Sequence, residues 1–220
     1  MKQFQIFILC YFICVGQFLY AQKWDTLKFE VCLGDKRIEL DKKVWIEEVK
    51  DSVRISKLQL YISKPYLKIS KPHIDYVFWD YSVTKQQIFR IKRHKKNYGL
   101  KLGVDSLTNL NCQFSGDLDP LVGMYWTWQN GFIHIKLEGY GQKVLNPKGF
   151  FQFHLGGYSF PNNCVGEVLF KSGNGVNKYM LNIVPLLEQS YKVGIFEVLS
   201  PGNNTNKLMQ VLMNSFIAQK

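Results

Sequence analysis

Two short runs on either side of a glycine-bounded loop constrain the fold most. Gly131–Glu138 (GFIHIKLE) and Phe150–Leu155 (FFQFHL) alternate along their length. A period of two is the mark of a strand with one face turned to a core. In the first run Phe132, His134, Lys136 and Glu138 share one face, and Ile133, Ile135 and Leu137 the other. In the second, Phe150, Gln152 and His154 share one face, and Phe151, Phe153 and Leu155 the other. If Gly139–Gly149 closes a symmetric hairpin, 138 opposes 150, 136 opposes 152, and His134 opposes His154. Directly opposed Cβ atoms lie about 4.5–5.5 Å apart, close enough for two imidazoles to share a metal ion. The competing reading is two unrelated polar histidines, and a slip of two residues would separate the pair.

The same alternation recurs through the chain. Leu27–Leu40 alternates around a Gly34-Asp35 turn, which predicts a β-hairpin. Val53–Ile62 alternates with a change of phase at Lys57-Leu58, which predicts a bulge. Tyr76–Tyr81, Gln87–Ile91, Tyr98–Val104, Val165–Phe170, Tyr179–Val184 and Lys192–Val198 read as further strands. Pro65 and Pro72 point to an irregular connection or edge strand between them. Asp105–Val122, rich in Asn, Ser, Gly, Asp and Pro, reads as a long ordered loop. One clear helix follows Ser200-Pro201-Gly202, capped by Asn204 or Thr205, with Leu208, Val211, Leu212 and Phe216 on one face. Many short strands and a terminal helix make a mainly β, antiparallel β-sandwich with a C-terminal helix. No repeat or linker divides it, so residues 22–220 are expected to form a single domain.

Residues 1–21 read as a signal peptide: Lys2, an apolar run from Phe4 to Leu19, and Leu19-Tyr20-Ala21 before the cleavage point. The run is too short for a spanning helix, so no membrane span is expected after its removal. Export makes a periplasmic or cell-surface location the expectation. Cleavage removes one lysine and no acid, taking the formal charge from +11 to +10. In an exported chain this charge points away from nucleic acid and toward anionic surfaces, acidic partners or solubility. Cys32, Cys112 and Cys164 remain, an odd number that allows at most one disulfide.

Met124, Trp126 and Trp128 fall on one face of Met124-Tyr125-Trp126-Thr127-Trp128, just ahead of the first histidine run. Tryptophans in sandwiches are usually core. Three large soft or π-rich side chains leading into the histidine strand also suit a soft metal, and imidazole and thioether ligands favour copper over magnesium or calcium. Asp117 and Asp119 lack the spaced acidic series of a calcium loop, and an Asx turn before Pro120 accounts for them. The Lys92–Lys96 run reads as a solvated hairpin tip. No G-x-S-x-G, H-E-x-x-H or paired Cys-His signature indicates an enzyme.

The run LGVDSLTN…GDLDPLVGMYWTWQNGF…KLEG…FFQFHLGG resembles the signature of MbnP-like proteins, copper-binding partners associated with methanobactin operons. LQLYISKPYL, FWDY and PGNN…MNSF extend the likeness over nearly the whole mature chain. The resemblance implies an exported β-sandwich concerned with copper homeostasis, not an enzyme. The mature protein is expected to be a monomer or weak oligomer. In some members a tryptophan is oxidised to kynurenine by a dihaem peroxidase of the MauG type, and the product then takes part in copper binding. Carried onto this chain, the motif tryptophans are Trp126 and Trp128 and the motif histidine is His154. His134 departs from the family pattern, which more usually has an aromatic or aliphatic residue there. The alternative function is a metal-free binding or scaffolding module of the cell envelope.

Overall fold

The computed structural model describes residues 24–67, 74–94, 97–111, 114–145, 148–170 and 176–219. The expected signal peptide, Pro72, Lys95, Lys96 and Cys112 lie outside the described residues.

In chain order the first strands are β1 (Trp24–Leu33), β2 (Lys36–Arg37), β3 (Lys43–Ile46), β4 (Asp51–Ser63), β5 (Tyr66–Leu67), β6 (Tyr76–Asp80), β7 (Gln86–Lys92) and β8 (Tyr98–Leu102). A short helix α1 (Ser106–Asn111) and two 3-10 turns follow. The chain then returns to strands with β9 (Tyr125–Thr127), β10 (Gly131–Gly141), β11 (Phe150–Gly156), β12 (Gly166–Phe170) and β13 (Val176–Asn182). It closes with α2 (Val184–Val193), β14 (Glu197–Val198), α3 (Asn203–Met213) and β15 (Phe216–Gln219).

These strands make two packed sheets. The smaller runs β15-β13-β1, with β2 and β7 also paired to β1. The larger runs β12-β8-β4-β10-β11-β14, with β3 and β6 on β4, β5 on β8 and β9 on β10. Most pairings are antiparallel; β1–β13 and β11–β14 are parallel. The inner faces meet in one apolar core that includes Leu27, Phe29 and Val31 of β1, Leu58 and Leu60 of β4, Ile135 and Leu137 of β10, and Phe151 and Phe153 of β11. The molecule is therefore the mainly β sandwich, with a helix near its C-terminus, that the alternation predicts. Among the described residues no helix is long and apolar enough to cross a membrane.

Several local readings carry over. Gly34, at φ +62°, makes the β1–β2 turn, a left-handed conformation that glycine adopts without cost. The bulge in β4 falls beside Ile55–Lys57, where Glu138 pairs with Lys57 and the next residue, Gly139, with Ile55. Asp119 accepts from Leu121 N at 2.9 Å, the expected Asx turn.

Others need correction. Asp105–Val122 is not all loop, since it holds α1 and both 3-10 turns. Lys192 lies in the last turn of α2 instead of starting a strand; Pro185 in its first turn and left-handed Gly194 after it are the start and stop signals. The last helix stops at Met213 on a face of Thr205, Leu208, Met209 and Leu212, and Phe216 belongs to β15. Its N-cap is Gly202, while the Thr205 hydroxyl donates to Ser200 O at 2.7 Å. Arg93 of the basic run is no solvated tip, because it donates through Nε and Nη2 to buried Asp25, at 2.8 and 2.6 Å.

Candidate metal site

The β10–β11 ladder decides which groups meet. Lys136, not His134, stands opposite His154, and Glu138 stands opposite Gln152. The pairing differs by two residues from a symmetric hairpin closed by Gly139–Gly149. The two strands continue through Gly139–Phe151 and Tyr140–Phe150, and Gly141 N donates to Gly149 O at 2.9 Å. Gly139 is a strand residue because the Phe151 ring fills the place of its side chain: a Cβ there would come 2.5 Å from Phe151 Cζ and 2.4 Å from Arg54 O. A register shift between Ile133 and Ile135 then breaks the alternation at His134. The two histidines do not share a face as an opposed pair.

His134 lies in the core, fully buried. A Cβ at Gly103 would stand 2.4 Å from its Cγ and Nδ1, so the ring packs directly against that glycine. Nδ1 is 3.7 Å from Cys164 Sγ, while among the described residues Nε2 has no hydrogen-bond partner. Burial pushes its pKa down to about 3, against a small opposing effect of the Val104 backbone, and keeps the ring neutral. Burial also pushes the Cys164 thiol up to about 12. Cys164 and Cys32 are both free thiols.

His154 belongs to a different environment, the polar outer face of β4, β10 and β11. Its Nε2 is 2.8 Å from Glu138 Oε1, and Lys57 Nζ is 3.7 Å from the other oxygen of that carboxylate. Lys136 beside it donates from Nζ to Gly123 O at 2.6 Å. Partial burial lowers the His154 pKa, helped by Lys136 and Lys57 and opposed by Glu138. With Nε2–H donating to Glu138, Nδ1 carries the free lone pair of a neutral imidazole, the form that binds metals.

The three residues expected on one face beside the histidines separate. Met124 is fully buried in a second, smaller apolar cluster with Tyr61, Tyr76, Val104, Phe132 and Ile133. Trp126 is half-buried against that cluster, and its Cζ3 would stand 2.9 Å from a Cβ on Gly156. Gly156 is two residues beyond His154 on the same strand face, a rise of about 6.6–6.8 Å. The Trp126 indole therefore lies over the face that carries His154. Trp128 is 73% exposed on the turn after β9, its carbonyl accepting from Tyr158 OH at 3.0 Å.

Sequence reasoning missed two participants. Glu138 could be placed on the His154 face by alternation, but its hydrogen bond depends on the register. Cys164 is thirty residues from His134, and nothing local joins them. Among the described residues no group of three His, Cys, Asp or Glu side chains is arranged to hold a metal ion.

Comparison with known proteins adds the following. The MbnP family model matches residues 23–211. The solved structure of MbnP from Methylosinus trichosporium is similar, with a TM-score of 0.55 over 76% of this chain and 78% of that one, at 12% identity. No curated protein matches the chain significantly.

Proposed function

The chain belongs to the MbnP family, and on that premise we propose that it is an exported copper-binding protein of the periplasm or cell surface, not an enzyme. The observation that carries the reading is the placement of Trp126 over Gly156, on the strand face of His154. His154 offers a neutral imidazole oriented by Glu138, a ligand with a carboxylate behind it. Copper would add a redox-active ion for storage or delivery, held by borderline donors of this kind.

The donor set fits that role only with an addition. His154 supplies one nitrogen, and an indole ring has no lone pair to offer a metal. Oxidation of Trp126 to kynurenine would create an aromatic amine and a ketone near Gly156, two residues along β11 from His154. The proposed oxidant is a partner dihaem peroxidase of the MauG type. Trp126 is therefore favoured over Trp128 as the modified residue. The exposed Trp128 side chain is the one a partner could reach directly. Met124 is assigned to the core.

The test is intact and peptide mass spectrometry on protein exported by its own host, with copper analysis on the same sample. The expected result is copper together with gain of one oxygen and loss of one carbon at Trp126, with the copper bound at the His154 face lost in His154→Ala. Unmodified, copper-free protein would overturn the reading and leave the envelope-binding module.

A further inference from the structure

A second set of soft donors lies away from the His154 face. Cys164 lines an open groove of about 330 Å³ between the start of β12 and α3. Met209 and Met213 of α3 line the same groove. A Cβ on Gly166 would come 2.0 Å from Met213 Sδ, so that thioether lies across the glycine next but one to Cys164. Asn206 also lines the groove, and among the described residues its buried Oδ1 has no hydrogen-bond partner. On its inner side Cys164 meets His134, whose Nε2 is likewise unpartnered. The Met213 thioether, the Cys164 thiol and a fully buried imidazole thus lie between the groove and the core, with Met209 packed in the core beside them.

We propose that His134 Nδ1 and Cys164 Sγ bind one Cu(I) ion, which reaches them through the groove past the Met213 thioether. The site is separate from the His154 face, and shares with the reading above only the identity of the metal. The donor atoms are 3.7 Å apart. Metal–nitrogen and metal–sulfur distances of about 2.1 and 2.3 Å span that gap with an angle of about 115°. Charge selects the ion. Burial is the main influence on both groups. A thiolate and a neutral imidazole around a monovalent ion make a neutral unit. A divalent ion would leave a net positive charge in the core, where an uncompensated charge is costly. Thiolate and thioether donors also select Cu(I) by softness. On binding, the Cys164 S–H bond breaks, its proton leaves to solvent and a sulfur–copper bond forms. Copper enters as Cu(I), so no electron is transferred.

The test is anaerobic titration of the mature protein with Cu(I), supplied as its acetonitrile complex, against a chromogenic Cu(I) chelator. Copper K-edge absorption on the loaded, unsubstituted protein reads the donor atoms. The expected result is a sulfur in the copper shell and a thiolate-to-copper absorption band. Cys164→Ser and His134→Gln should each weaken binding more than ten-fold, while His154→Ala should leave this site unchanged. A shell of nitrogen and oxygen only, or unchanged affinity in Cys164→Ser, overturns the proposal. Loss of Cu(I) in His154→Ala with retention in Cys164→Ser also overturns it, while supporting copper at the His154 face. The absorption measurement needs no variant, so it decides between sulfur and nitrogen–oxygen ligation even where a substitution impairs folding.

Discussion

His154 and Glu138 meet on a diagonal of the β10–β11 ladder, Nε2 to Oε1 at 2.8 Å, although neither is the other's direct cross-strand partner. The carboxylate is held in turn by Lys57 at 3.7 Å. Glu138 thus fixes the ring and offsets part of the lowering that burial imposes on its pKa. Glu138→Ala should move the His154 pKa further down, followed by NMR titration of the ring protons. Loss of such an outer partner typically costs about 10–100-fold in metal affinity, and that is the expected drop in copper affinity at His154. An unchanged His154 titration would show that the hydrogen bond does not hold the ring.

Gly156 is tightly enclosed beside that face. An added Cβ would meet Phe132 O at 2.4 Å and Trp126 Cζ3 at 2.9 Å. The first is backbone and cannot swing aside, so the strand must move or the indole must leave. Gly156→Ala should destabilise the fold by about 1–3 kcal/mol, as overpacking does. Thermal unfolding should fall by several degrees, with a shift in tryptophan emission as Trp126 is displaced. Equal stability and emission would mean that Trp126 does not rest on this glycine.

The strands of this face were legible because burial on one side writes itself as alternation. Phe151, Phe153 and Leu155 are in the core and Gln152 and His154 are not, as their spacing predicts. Register was not legible, because Gly139 and Gly141 read as loop residues while each sits in a ladder against a neighbouring side chain. The bulge that takes His134 into the core is likewise a property of the paired strands, invisible in GFIHIKLE. α2 had its signals in Pro185 and Gly194, but its flanking segments read as strands and absorbed its end. The His134–Cys164 contact joins two elements that only the closed sandwich brings together.

Asp25 links β1 to the residue that follows β7. It is 1% exposed and accepts two bonds from Arg93, at 2.8 and 2.6 Å. Removing one partner of a buried pair leaves the other charge uncompensated and costs about 3–5 kcal/mol. Asp25→Ala should lose stability at the upper part of what one substitution removes, read by urea unfolding at neutral pH. Arg93→Ala, which takes the guanidinium from the same carboxylate, should be comparably harmful. A loss no larger than that of an exposed pair such as Lys42–Glu39, about 0–1 kcal/mol, would show the pair to be solvated.

His134 gives the metal-free protein a distinctive acid response. Its folded pKa is about 3, against about 6.5 for an unperturbed histidine. Between those values the unfolded chain binds a proton that the folded chain does not, so stability rises with pH across this window. The contribution is fully present above about pH 6.5 and is lost toward about pH 3, with a limiting slope of about 1.4 kcal/mol per pH unit. Glu30, Asp80 and Asp105 also have lowered pKa values, but as carboxylates they add to acid sensitivity only lower in the range. His154 acts in the same direction as His134, because its pKa is lowered too. The diagnostic is therefore a difference between proteins. Chelator-treated wild type should lose more unfolding free energy between pH 7.5 and pH 5 than His134→Gln, measured by urea denaturation. The same loss in both would mean that the imidazole is protonated in the folded state, and that the core admits the charge or the water that the packing of Gly103 and Cys164 against the ring excludes.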